Sequence, residues 1–202
     1  MKRILTTPIG IEGIRDLRAG DVFYLSGRVI TGRDDVHRRI VREKMVSPVG
    51  FRSIALFHAG PIVREDPGTN TLISVGPTTS MRMEDLTAEF IALTGVRVII
   101  GKGGMGPKTA AACKTHGAIH CVFPGGCAVT AAALVEEIEA VHWRELGMPE
   151  CLWVLRVREF GPLIVTIDTE GNNLYGENKR LYAERKDAAL APIIESLRDM
   201  MG

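Results

Sequence analysis

The chain has 202 residues, a formal net charge of +1 and an aliphatic, aromatic-poor composition. That length suffices for a substantial core, and the charge balance excludes the strongly basic signature of a nucleic-acid or membrane-surface binder. No stretch is apolar for long enough to span a bilayer, and Met1-Lys2-Arg3-Ile4-Leu5 runs into Thr6-Thr7-Pro8 rather than into the apolar core of a signal peptide. A cytoplasmic protein is expected, with no membrane and no nucleic-acid partner.

Taken in chain order, the first part reads as β-rich. Strands are expected at Arg3–Thr6, Asp21–Ile30, Ile54–His58 and Leu72–Val75. From Met81 the texture changes, with Met83, Leu86, Phe90 and Leu93 at helical spacing and Gly95 placed to end the helix. The β-branched run Val96–Ile100 follows as a strand. It leads into Gly101-Lys102-Gly103-Gly104-Met105-Gly106-Pro107 and then an alanine-rich helix opened by Pro107. Ala118–Phe123 reads as a buried strand. Pro124-Gly125-Gly126 turns the chain into a helix expected over Cys127–Ala140, with Ala131, Leu134, Val135 and Ile138 on one face and Glu136, Glu137 and Glu139 largely on the other. Leu152–Val157 and Leu163–Ile167 read as two strands joined around Gly161-Pro162. Asp168–Arg185 is polar and turn-rich, and a last amphipathic helix carries Leu190, Ile193, Ile194 and Leu197.

No repeat or low-complexity linker interrupts the chain, so a single domain over residues 1–202 is expected. Alternating strands and helices in the middle imply right-handed crossovers and parallel pairing. The expected fold class is α/β: three layers, with a mostly parallel central sheet, a smaller antiparallel layer, and helices on the other face.

Three turns share one grammar of strand, small residues, polar residues and helix. They are Thr31-Gly32-Arg33-Asp34, Gly76-Pro77-Thr78-Thr79-Ser80-Met81-Arg82, and the Lys102 loop. Glycines at Gly101 and Gly103 allow close backbone approach, and a helix start offers unpaired N–H donors, so this loop suits an anion. A tight solvated turn with an incidental lysine is the plainer alternative. The loop is not a P-loop, because its lysine precedes most of the glycines, and it lacks the acidic partner of a dinucleotide fingerprint. If the strands are parallel, Arg33, Thr78, Arg82 and Lys102 share one edge of the sheet and suit a small dicarboxylate. The bland readings are helix caps at Asp34 or Asp35 and at one of Thr78, Thr79 and Ser80. His37 and His58 stand near enough in sequence to support such a site, or serve only the fold. His116, His120, His142, Trp143 and Trp153 read as structural. Cys113, Cys121, Cys127 and Cys151 lack C-x-x-C spacing and read as free thiols, with no metal bound by this chain alone.

Taken together, Thr31-Gly32-Arg33-Asp34 with His37, Phe57-His58-Ala59-Gly60-Pro61, Gly76–Met83, Gly101–Met105 and Glu159-Phe160-Gly161-Pro162-Leu163 resemble one family over nearly the whole chain. It is the β subunit of the iron–sulfur-dependent class I fumarases and L(+)-tartrate dehydratases. The resemblance implies a swivelling β/β/α fold. It also implies a four-iron, four-sulfur cluster held by three cysteines of a partner α subunit, and so a hetero-oligomer. Met1 stands directly at the β part, so a separate α chain is expected. The implied reaction is reversible trans hydration between two carboxylates, fumarate to L-malate, with tartrate to oxaloacetate as the rival. Thr78 matches the family's base. Arg33, Arg82 and Lys102, with Gly101 and Gly103 of the lysine loop, match its substrate-binding positions, and Asp34 is a relay or orienting partner. A non-catalytic anion-binding or assembly module is the rival from another class.

Overall fold

The structure is a computed structural model and describes residues 2–52 and 54–201. In chain order the main elements are β1 (Ile4–Thr6), β2 (Val22–Thr31), α1 (Asp34–Val41), β3 (Ala55–Phe57), β4 (Ala59–Asp66), β5 (Thr69–Pro77) and α2 (Glu84–Thr94). There follow β6 (Val98–Gly101), α3 (Pro107–His116), β7 (Ile119–Val122), α4 (Ala128–Ala133), β8 (Val135–His142), β9 (Leu152–Ile167) and α5 (Leu174–Met201). A short 3-10 turn, Ser80–Met83, precedes α2.

β1, β2, β3, β6 and β7 pair in parallel, in that spatial order. β9 then joins β7 and returns to β2, antiparallel to both, so β2-β3-β6-β7-β9 closes into a five-stranded, barrel-like ring. β4 and β5 form a separate two-stranded antiparallel sheet. The architecture is therefore mixed α/β with a central sheet and a second small antiparallel sheet.

Period-two alternation divides the core. Ala55 and Phe57 of β3, Val98 and Ile100 of β6, and Ile119 and Cys121 of β7 point into one cluster, with Phe23, Leu25, Phe160, Leu163 and Val165. The intervening Leu56 and Ile99 point the other way, onto Val36 and Ile40 of α1, Phe90 and Ile91 of α2, and Ala110 and Cys113 of α3. Both faces of these parallel strands are covered, which is why they read as unbroken apolar runs.

Three expectations are corrected. The helix over Cys127–Ala140 is only α4; from Val135 the chain is the strand β8. Two bulges explain the helical look. β8 sets two residues against one of β9 between Val135 and Glu137, and again between Ile138 and Ala140. Those extra residues turn the three-residue spacing of Val135, Ile138 and Val141 into one strand face, opposite the buried Val157, Leu155 and Trp153. The glutamates go to arginines: Glu139 accepts from Arg156 Nε at 2.8 Å and from Arg28 Nε at 2.6 Å.

The two strands expected around Gly161-Pro162 are one 16-residue strand, β9. One edge of β9 follows β2. Its other edge carries β8 over Leu152–Val157 and β7 over Ile164–Ile167. The polar segment Asp168–Arg185 is turn-rich only at its start, because α5 begins at Leu174 and runs continuously onward. Leu190, Ile193, Ile194 and Leu197 lie on α5 as expected, yet they are exposed rather than packed.

Candidate active site

Parallel strands deliver their C-terminal ends to one edge of the sheet. Arg33 follows β2, His58 follows β3 and Lys102 follows β6 there. The β4–β5 hairpin leaves that edge at Ala59 and comes back to it, since Ala59 pairs with Pro77 and Gly60 with Gly76. Thr78 is thereby returned beside Lys102. Thr78 N–H donates to the His58 carbonyl at 2.7 Å, and Lys102 N–H donates to the Thr78 carbonyl at 3.1 Å. Ser80 N–H donates to the Lys102 carbonyl at 3.0 Å, and His58 N–H to the Ile100 carbonyl at 2.7 Å. The Thr78–Ser80 segment and Lys102 thus form one short parallel ladder in which Thr79 is the partner of Lys102, with Thr78 half-buried and Lys102 exposed.

The arginines join this edge through carboxylates. Asp34 Oδ2 lies 2.8 Å from Arg82 Nη2 and 3.5 Å from Arg33 Nε. Glu150, which sequence reasoning missed, places Oε1 2.7 Å from Arg33 Nε. Its Oε2 accepts Asp35 N–H at 3.2 Å, so the first turn of α1 is served by a carboxylate from just before β9. Burial pushes the Glu150 carboxyl above its ordinary value, opposed by the Asp35 N–H and the Arg33 charge. Arg33 Nε and Asp34 Oδ2 are buried without an aligned hydrogen bond, despite these close charges. Two cations and two carboxylates cancel here, and Lys102 has no ion pair among the described residues.

The start of α3 was the expected anion position, and it is filled from within. Glu84 of α2 accepts N–H bonds from Gly106 at 2.8 Å, Lys108 at 3.0 Å and Thr109 at 3.2 Å, together with the Thr109 hydroxyl at 2.7 Å. What remains open in the loop is its beginning, where Gly103 has φ +72° with no neighbour where a Cβ would sit. Gly101 is different. It is buried, and a Cβ there would stand 1.8 Å from Ser80 Oγ.

Capping at Thr78–Ser80 is corrected as well. Thr79 is the N-cap of the 3-10 turn and makes no side-chain cap bond. Ser80 is fully buried, and its hydroxyl lies 3.0 Å from His58 Nδ1 and 3.0 Å from His120 Nε2. His120 Nδ1 meets Thr166 Oγ1 at 2.6 Å, and His37 Nδ1 bonds the Arg33 carbonyl at 3.0 Å. Burial lowers all three imidazoles: His37 to about 4, His120 to about 3, and His58 well below its ordinary value. They are neutral rings at neutral pH.

The Cys113 and Cys121 thiols do not fit an iron–sulfur cluster. Burial raises Cys113 to about 12 and raises Cys121 further, against the deprotonation that ligation needs. Among the described residues no three His, Cys, Asp or Glu side chains are grouped to hold a metal ion. No helix among them is long and apolar enough to cross a membrane.

L(+)-tartrate dehydratase subunit beta of Escherichia coli (strain K12) is 58% identical over 197 residues, covering 98% of this chain and 96% of that protein. A putative L(+)-tartrate dehydratase subunit beta of Methanocaldococcus jannaschii is 40% identical over 178 residues, covering 85% of this chain and 90% of its own length. A putative fumarate hydratase class I of Geobacillus stearothermophilus is 35% identical over 195 residues, 95% of this chain but 37% of that protein. The family model described as Fumarase C-terminus matches residues 2–178, and the chain belongs to that family.

Proposed function

We propose that the chain is the β subunit of a hydro-lyase acting on a four-carbon dicarboxylate, with L(+)-tartrate, dehydrated to oxaloacetate, as its substrate. The observation that carries the reading is the ladder that brings the Thr78–Ser80 turn onto Lys102, a lysine with no ion pair among the described residues. Lys102 N–H donates to the Thr78 carbonyl, and Lys102 pairs with Thr79. A hydroxyl and an ammonium carried on adjacent strand ends of one sheet edge suit removal of a proton beside a carboxylate. The 58% identity to relatives named for tartrate supports that substrate. Reversible hydration of fumarate to L-malate is the second reading, supported by the relative named as a putative fumarate hydratase class I.

In this reading Thr78, its own hydroxyl proton first lost to solvent, takes the proton from the substrate carbon as an alkoxide while the hydroxyl of the adjacent carbon leaves. Lys102 stabilises the negative charge on both the alkoxide and the developing carbanion. Lys102 and Arg82 hold the substrate carboxylates. Asp34 touches both arginines, so its role is to orient them rather than to relay a proton from Thr78. An α subunit completes a cytoplasmic hetero-oligomer and holds the four-iron, four-sulfur cluster, a Lewis acid toward the substrate hydroxyl. The ring, the β4–β5 hairpin and the helices together correspond to the swivelling β/β/α domain, one unit over residues 1–202.

The test is anaerobic reconstitution with the α subunit, followed by turnover of L(+)-tartrate and L-malate and solvent deuterium exchange at C3 of malate. Turnover of tartrate above malate is expected. Thr78→Ala is expected to cut turnover and exchange by roughly two to four orders of magnitude at nearly unchanged Tm. An intact complex inert toward both acids overturns the hydro-lyase reading, and normal exchange in Thr78→Ala removes Thr78 from proton transfer.

A further inference from the structure

Beneath the edge that carries Arg33, Thr78 and Lys102 runs a continuous buried path of side chains. It passes from Thr166 to His120, Ser80 and His58, whose ring meets that of His37 edge-on with centroids 5.0 Å apart. Each of these residues is at most 1% exposed. The path touches every loop of the candidate site: His37 bonds the Arg33 carbonyl, Ser80 lies between Thr78 and Arg82, and Gly101 packs under the Ser80 hydroxyl.

Hydrogen-bond capacity orders the protons along it. A serine hydroxyl has one proton, so between two neutral rings it donates to one and accepts from the other. Thr166 Oγ1 donates to the His120 carbonyl at 3.1 Å and therefore accepts from His120 Nδ1–H. His120 Nε2 is then bare and receives the Ser80 proton, and Ser80 in turn accepts from His58 Nδ1–H. The carbonyl partner of His37 likewise demands Nδ1–H. His37 and His58 are left with bare Nε2 atoms, and both of these atoms are buried without a partner. Ser80 is thus the single group that ties the protonation of one ring to that of the other.

We propose that Ser80 is a positioning residue for Thr78 and Lys102, an inference that rests on the hydro-lyase reading. Its hydroxyl clamps His58 to His120 and passes the tautomer that Thr166 sets on His120 on to His58. The main chains of His58 and Ser80 hold the other two rungs, with Thr78 N–H on the His58 carbonyl and Ser80 N–H on the Lys102 carbonyl. The side-chain bond between them keeps those rungs in register from below. It also explains Gly101, because any Cβ there would displace the hydroxyl.

Two measurements test this. Long-range proton–nitrogen spectra of the full chain at pH 7 read the histidine tautomers, and steady-state kinetics of the reconstituted complex read kcat and KM for tartrate and malate. Ser80→Ala is expected to turn His58 into a tautomer mixture while His37 and His120 stay Nδ1–H, held by the Arg33 carbonyl and Thr166 Oγ1. It is also expected to lower kcat about tenfold or more, with KM within about twofold of wild type. His120→Asn keeps a donor for Thr166 but loses Nε2. It is expected to change the His58 tautomer across the intervening hydroxyl, although the two ring centroids are 6.5 Å apart, and it carries the spectral test if Ser80→Ala fails to fold. An unchanged His58 spectrum in the folded variants, or a wild-type kcat in Ser80→Ala, overturns the proposal. A wild-type complex inert toward both acids overturns the hydro-lyase reading instead, and the spectra still decide whether Ser80 couples the rings.

Discussion

Glu84 does for α3 what a bound anion would do. Three N–H groups of the helix start and one hydroxyl converge on its carboxylate, and the helix dipole favours negative charge there. Glu84→Ala leaves those donors without the partner and is expected to cost about 1–3 kcal/mol of stability, read as a lower urea midpoint. Sulfate is expected to recover more stability in the variant than in wild type, because the vacated helix start then takes the anion. Glu150 plays the matching part at α1, with Arg33 as its second partner. Neither carboxylate is legible in the sequence, since each comes from a different element and nothing local marks its target. That Arg33, Thr78, Arg82 and Lys102 come to one edge was legible, because each stands in a polar, glycine-marked turn. That Thr78 and Lys102 are hydrogen-bonded neighbours became visible only with the return of the β4–β5 hairpin.

At the scale of elements, β8 shows why periodicity misleads. Val135, Ile138 and Val141 have helical spacing, and the glutamates between them look like the wet face of a helix. Two bulges give the same spacing to a strand, and bulges leave no local sequence mark. The parallel strands β3, β6 and β7 were legible because both of their faces are covered and their residues are apolar throughout. α5 is the opposite case. Its apolar residues, Leu190, Ile193, Ile194 and Leu197, have the right period, but they are 37–55% exposed. Its attachment is at its start, where Asn173 Nδ2 donates to the Met105 carbonyl at 2.9 Å and Tyr175 packs on Gly104. A chain ending at Asn178, where the family match also ends, keeps those anchors. It is expected to lose helical circular dichroism while its stability changes by less than about 1 kcal/mol.

For the whole molecule, the three buried imidazoles set the acid limit of stability. Each has a folded pKa below the unfolded value, so the folded state binds fewer protons and each contribution is complete above the unfolded pKa of 6.5. It is lost as pH falls from there toward about 4 for His37 and about 3 for His120. At pH 5 the neutral rings of His37 and His120 cost about 2 kcal/mol each. Urea midpoints measured from pH 7 to pH 5 are expected to fall steeply. His37→Asn, which keeps a donor for the Arg33 carbonyl, is expected to flatten that slope.

The closure of the ring by β9 also bears on how the protein is made. β2 is synthesised early, yet its edge waits for a strand that starts at Leu152, and Val22 pairs only with Ile164. Until then β2 and β7 present two open, apolar edges, the kind that attract other nascent chains. Closure therefore waits for β9, through contacts distant in sequence, which fold slowly. α5 emerges after the closing strand has been delivered.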